Sequence, residues 1–334
     1  MTVQFLTRIL AFITILYLSL VSIVFRDVDV VFDIVNYIEA YPQNCNFEVG
    51  YCFFSNTFYQ LGYEYWSFSI FYFLLSFVVL IFALKSVAKY AEIDFFFLFL
   101  LYFFYLFYLH QITQVRIGMA LSFAYLAYVF WEKSEKKFSL LYLLLSLSFH
   151  ISTFLICIAF FVNENCDKKS RIIFYGILPY VFIASSYFSL FDLLTLIKFL
   201  AVYIKKMEIY SVLSGSTLNF MSGKFLLMLG YITLFWVYNL FFSVEPRTVM
   251  FGKVITIALC LFIFLSPQIS LAFRVFEIFE LFFLVLMILG LDKKFKSIFR
   301  LCSFFVIVLY SLLSLRAVFF LDSPLFNVGN INIY

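Results

Sequence analysis

The chain has 334 residues, of which 65% are hydrophobic and 13% charged, and its net charge is only +4. No soluble domain of this length has enough interior to hide that much apolar surface, so a water-soluble globular enzyme is excluded and the solvent must be lipid. The positive charge is spread over loops with no basic patch, which argues against nucleic acid as a partner, and the six Cys and two His show no metal-ligand spacing.

Apolar runs of about 18–22 residues recur along the chain, each long enough to cross about 30 Å of hydrocarbon. Backbone groups in lipid must be satisfied within the segment, and the runs lack the alternation of barrel strands. The expected fold class is therefore an all-α polytopic membrane protein, with about 10 transmembrane segments and a re-entrant helix pair in a single integral membrane domain over residues 1–334. An aromatic content of 24%, mostly Phe, fits sugar-stacking platforms, but lipid-facing filler explains it more simply.

The first segment, about 5–25, has Arg8 near its start and no small-residue cleavage site after it, so it reads as a retained anchor. The loop 26–64 holds Arg26 as its only basic residue against Asp27, Asp29, Asp33, Glu39, Glu48 and Glu64, and the positive-inside rule makes it extracytoplasmic. Pro42, Gly50, Cys45 and Cys52 make this loop structured but not one long helix, and the two cysteines can pair if it faces an oxidising compartment. Segment two, about 66–84, ends at the cytoplasmic Lys85 and Lys89. Segment three, about 93–110, returns to His110, which reads as an interface residue at a helix end. Segment four, about 113–131, descends to Lys133, Lys136 and Lys137, which puts Arg116 in its first turn near the outer face.

Residues 138–162 present a choice between one crossing and two half-length helices meeting near His150. From residue 164 onward the second reading leaves nine Lys/Arg inside and six outside, and the first reverses this, so the charge bias favours a re-entrant pair. Irregular backbone at that depth is tolerated where it lines a cavity, which would put His150 at the cavity floor. Segment six then covers about 172–190. The outer loop 192–223, with Lys198, Lys205 and Lys206 beside apolar positions, resembles a helix lying on the membrane surface. Segments seven to ten cover about 224–243, 253–266, 272–290 and 299–320, with Arg274 at the start of the ninth and Arg316 near the outer end of the tenth.

Arg116, Arg274 and Arg316 thus fall on one side of the membrane at similar depth. A charged side chain at membrane depth costs at least about 2.5–3.5 kcal/mol, and such residues usually line a polar cavity. Guanidinium forks match phosphate oxygens, so the three make a candidate clamp for a lipid pyrophosphate; the bland alternative is snorkelling, or pairing with Glu277, Glu280 or Asp322. His150 can exchange a proton near neutral pH and is a candidate base for activating a sugar hydroxyl, or else a neutral histidine bonded to a neighbouring helix. Asp27 and Asp29 can hold a cation or act as a base, or simply form a solvated acidic turn. Glu48 is of interest because Gly50 beside it permits a close backbone approach. There is no Gly-rich nucleotide loop, nucleophile elbow or zinc spacing.

Asp27 and Asp29 after the first span, Glu48-Val49-Gly50-Tyr51, the run Gln114-Val115-Arg116-Ile117-Gly118-Met119-Ala120, Phe149-His150-Ile151-Ser152 and Arg274 together resemble the EpsG/Wzy-type polysaccharide polymerases. That resemblance implies a multi-pass enzyme of the bacterial inner membrane, with a GT-C-like helical fold. It would join undecaprenyl-pyrophosphate-linked oligosaccharide repeat units into O-antigen, the polysaccharide of lipopolysaccharide, or a related surface polysaccharide on the periplasmic face. Arg116 and Arg274, assisted by Arg316, would hold the pyrophosphate and His150 would act as base. Glu48 and Asp29 would orient the acceptor or take the base's place. The scheme needs no metal or other cofactor, and its partners are the lipid-linked oligosaccharide, membrane lipid and, as a further candidate, a chain-length regulator. A flippase or transporter for the same lipid-linked sugar, and a GT-C glycosyltransferase using a polyprenyl-phosphate sugar, are the competing expectations.

Overall fold

The computed structural model describes residues 2–24, 32–41, 45–162, 175–183, 223–265 and 269–319, and every regular element among them is helical. Asp27, Asp29, Asp322 and the proposed surface helix within 192–222 lie outside the described residues. The chain forms two compact units, one of residues 1–154 and 311–334 and the other of residues 155–310.

In the first unit, α1 (Thr2–Val24) precedes two short helices, α2 (Phe32–Ala40) and α3 (Val49–Gln60), which occupy the polar loop expected to be broken. Next come α4 (Tyr65–Ala91) and α5 (Phe95–Tyr102), and α5 continues as a π-helix over Phe103–Thr113. α6 (Val115–Glu132) and α7 (Lys136–Phe149) follow, joined by a tight turn.

At 27 residues α4 is about 40 Å long, enough to cross a bilayer. One stripe, Phe71, Leu74, Val78 and Phe82, is exposed in helical spacing while Phe73, Phe77, Leu80 and Leu84 are buried, the pattern of a helix with lipid on one side and protein on the other. Its end is set by Glu92 in the left-handed conformation (φ 57°), and Asp94 then caps α5 by accepting the Phe97 N–H at 2.8 Å. Arg8 pairs with Asp94 (3.2 Å), and the Tyr90 hydroxyl donates to Glu132 (3.2 Å). These contacts gather the start of α1, the α4–α5 turn and the end of α6 at one end of the unit, as the alternating topology requires.

α6 and α7 form an antiparallel hairpin. Along it Phe123 stacks on Phe149 and Tyr142, Phe130 stacks on Tyr142 and meets Phe138, and the Ser146 hydroxyl donates to the Ala120 carbonyl at 2.7 Å. α7 ends where the charge bias expected a break. His150 is extended (φ −161°, ψ 118°), and the chain resumes as a 3₁₀ turn, Ile151–Ile156, and the single helical turn α8 (Cys157–Phe160).

His110 departs from its expected place at the membrane interface. It is fully buried, with the Tyr102 hydroxyl 3.4 Å from Nδ1. The π-helical stretch ends the third segment inside the bundle, and Gly118 of α6 lies directly against the His110 carbonyl, where a Cβ would collide. No local hydropathy pattern marks a π-helix.

The second unit holds helical residues 175–183, α9 (Gly223–Phe241), α10 (Pro246–Phe264) and α11 (Ile269–Leu289), with most of α12 (Ser297–Phe319). Pro246 opens α10 at a position whose N–H has no intrahelical partner. Trp236 donates to Thr256 (2.9 Å) between α9 and α10, and Tyr231 meets Ser303 (3.0 Å) between α9 and α12. The Glu245–Lys294 pair (3.0 Å) joins the two turns expected on the cytoplasmic side.

Among the described residues, five helices are long and apolar enough to cross a membrane: α4, α5 with its π-helical continuation, α9, α10 and α12 over Ser297–Ser314. They coincide with segments two, three, seven, eight and ten of the sequence. α6 and α11 have the length but carry charges within it, Arg116 in one and Arg274, Glu277 and Glu280 in the other.

Candidate functional site

Arg116 is the second residue of α6, at the positive end of the helix dipole, where a cation is disfavoured and needs compensation. Compensation comes from residues far away in sequence. Glu48 forms an ion pair with its guanidinium, and both side chains are mostly buried, 16% and 22% exposed. The Phe47 ring lies 3.8 Å from the guanidinium carbon, with Tyr37 at 5.3 Å and Tyr51 at 6.0 Å. Arg116 Nε also donates to the Tyr37 hydroxyl (3.4 Å). Cation–π contacts of this kind contribute about 0.5–2 kcal/mol each when desolvated, so the aromatic cup and the carboxylate together hold a charge that the helix end would otherwise repel.

The loop that presents Glu48 is short and covalently closed. Cys45 and Cys52 form a disulfide, and Phe47, Glu48, Gly50 and Tyr51 all lie inside the ring it makes. Glu48 occupies the N-cap position of α3, yet its side chain caps nothing there and is directed to Arg116 instead. At Gly50 a Cβ would stand 2.8 Å from both the carbonyl and the hydroxyl oxygen of Ser148, and 3.1 Å from the Phe149 ring. The glycine is needed because α3 touches the last turn of α7.

Three motifs separated in sequence therefore meet in one place. Tyr51, Val115, Met119, Ala120 and Phe149 belong to a single buried cluster with Tyr37, Tyr41, Tyr65, Phe68 and Tyr72. Burial above all, with the neighbouring Tyr65, Tyr37 and Tyr72 phenols, raises Tyr51 well above the ordinary tyrosine value, so it is a neutral hydroxyl at any physiological pH.

His150 follows Phe149 directly and is 7% exposed. Its Nδ1 accepts the Ser152 N–H (3.3 Å) and lies 2.7 Å from the Ser152 hydroxyl, so the neutral ring carries its proton on Nε2. The Thr153 hydroxyl donates to the His150 carbonyl (2.7 Å) and fixes the turn. The Ser146–Ala120 bond fastens that turn to α6 one helical turn beyond Arg116.

Asp29 lies outside the described residues. Arg316, near the end of α12, is exposed. Arg274 is half-buried on α11 in the second unit, where Glu280 accepts a hydrogen bond from Tyr310, whose ring lies 5.1 Å from the Lys224 ammonium. Among the described residues no group of three or more His, Cys, Asp or Glu is placed to hold a metal ion.

The sequence singled out Arg116, Glu48 and His150 as candidates but not Tyr37 and Phe47, which line the Arg116 guanidinium. Phe47 could have been suspected from its place between the two cysteines; Tyr37 gave no signal among 24 tyrosines.

The model of the EpsG family matches residues 10–327. The chain belongs to the EpsG family. The match spans both units and every motif gathered at Arg116, and membership makes this a membrane protein of the polysaccharide-polymerase type. Neither curated proteins nor solved structures gave a match to this EpsG-family chain.

Proposed function

We propose that this EpsG-family protein joins oligosaccharide repeat units carried on a polyprenyl pyrophosphate, undecaprenyl pyrophosphate in bacteria, on the outer face of the cytoplasmic membrane. The observation that carries the reading is the largely buried Glu48–Arg116 ion pair, flanked by a buried aromatic cluster that holds Tyr51, Val115 and Phe149, the last of them the chain neighbour of His150, and beside a disulfide that suits an oxidising, extracytoplasmic compartment.

In the reaction, a hydroxyl oxygen of the acceptor sugar attacks the anomeric carbon of the donor chain. The bond from that carbon to the pyrophosphate oxygen breaks, and the lipid pyrophosphate leaves with the bonding pair. Arg116, as a planar fork beside a low-dielectric aromatic wall, stabilises the charge that develops on the leaving group. In this reading Arg316, near the end of α12 in the same unit as Arg116, supplies further positive charge. The acceptor proton goes to His150 Nδ1, where the Ser152 hydroxyl now marks the place of a donor. Asp29 orients the acceptor sugar, and Glu48 is the acidic partner of Arg116.

The test is polymerisation by purified protein on lipid-linked repeat units, read as a ladder of glycan lengths. Arg116→Ala should leave single units at a rate about 10²–10³ lower, the usual cost of removing one donor to a developing anion. An unchanged ladder would show that Arg116 takes no part in the chemistry.

A further inference from the structure

We propose that Glu48 is a displaceable counter-anion, which occupies the Arg116 guanidinium while the site is empty and gives way to the diphosphate when lipid-linked substrate binds. The inference rests on the reading of Arg116 as the diphosphate site and adds how that site is kept ready and emptied.

Four features support it. The N-termini of α3 and α6 meet at this point, with Glu48 at the head of one and Arg116 in the first turn of the other. Two positive dipole ends and a guanidinium make a position that calls for negative charge, and among the described residues Glu48 is the one carboxylate shown on Arg116. Glu48 is free to leave, because its side chain caps no N–H of α3 and is 22% exposed. Arg116 need not move when it does, since the Tyr37 hydroxyl holds Nε and the Phe47 ring lies 3.8 Å from the guanidinium.

The loop backbone also stays in place, closed by Cys45–Cys52 and seated through Gly50 on Ser148. Only one side chain has to turn. An ionised carboxylate and a diphosphate on the same guanidinium repel at close range in a poorly screened site, so binding of one removes the other. Return of Glu48 after the glycosyl transfer would in turn help expel the lipid pyrophosphate.

The experiment measures binding of inorganic pyrophosphate, without divalent metal and at fixed ionic strength, to the full-length protein in nanodiscs. Wild type, Glu48→Gln, Arg116→Ala and the double variant are compared after thermal melts confirm that each is folded. Glu48→Gln should bind pyrophosphate at least about tenfold more tightly, since a competing charge is gone while a hydrogen-bonding side chain remains. Arg116→Ala should abolish binding in both backgrounds. With lipid-linked substrate, Glu48→Gln should lower KM and kcat together, because product is held longer; a merely structural loss would not lower KM. Equal or weaker pyrophosphate binding by Glu48→Gln, with binding still lost in Arg116→Ala, overturns the exchange and leaves Arg116 as the diphosphate site. Wild-type binding by Arg116→Ala overturns both.

Discussion

Replacing Gly50 with alanine adds one methyl group and no charge, and it tests whether the contact between α3 and α7 sets the geometry around Arg116. The new Cβ would stand 2.8 Å from the Ser148 carbonyl oxygen and 2.8 Å from its hydroxyl oxygen. Comfortable contacts begin near 3.5 Å, so α3 must retreat by roughly 0.5–0.7 Å. Ser148 cannot yield cheaply, because one of the two atoms is helix backbone and the other is fixed by its bond to the Leu145 carbonyl (2.7 Å). Overpacking of this kind costs about 1–3 kcal/mol. The displaced segment also carries Glu48 and Phe47, and a misplacement approaching 1 Å at a reacting centre costs up to about 10²-fold in rate. Gly50→Ala should therefore lower the thermal midpoint in detergent and slow ladder formation by ten- to a hundredfold. Gly230→Ala is the control, since a Cβ on that helical glycine meets nothing within 4 Å and should be neutral or slightly stabilising. A Gly50→Ala protein with wild-type midpoint and rate would refute the argument that this contact positions the site.

Arg116→Lys keeps the charge but loses the planar fork and much of the stacking on Phe47, and it should recover less than a tenth of wild-type ladder formation in the same assay. Changing Cys45 and Cys52 to Ser opens a short loop whose closure contributes about 2.5 kcal/mol in the chain-entropy model. The double variant should melt earlier than wild type, and dithiothreitol should bring wild type to the same midpoint. His150→Ala should slow polymerisation by about 10²–10⁴-fold while pyrophosphate binding is kept, which separates a proton-transfer role from loss of the fold. In a background without the free cysteines, Leu61→Cys should react with a membrane-impermeant thiol reagent from outside and Glu135→Cys should not; the reverse pattern would invert the topology.

Local hydropathy is written along the chain, and the features that depend on it were legible in the sequence. These are the membrane class, the placement of α4, α5, α9, α10 and α12, and Arg116 in the first turn of α6. They also include the helix break at His150, which the distribution of Lys and Arg favoured. Lipid imposes these features one segment at a time, because each backbone must satisfy itself over about 30 Å of hydrocarbon. The tertiary structure alone decided the partners. Glu48 reaches Arg116 across 68 positions, Tyr37 across 79, and Gly50 meets Ser148 only because α3 settles on the end of α7. The π-helical turn that buries His110 was equally silent in the sequence. Such pairings depend on how helices rotate and lean against one another, which turns on side-chain shape at a few contacts and leaves no periodic trace in the residues that make them.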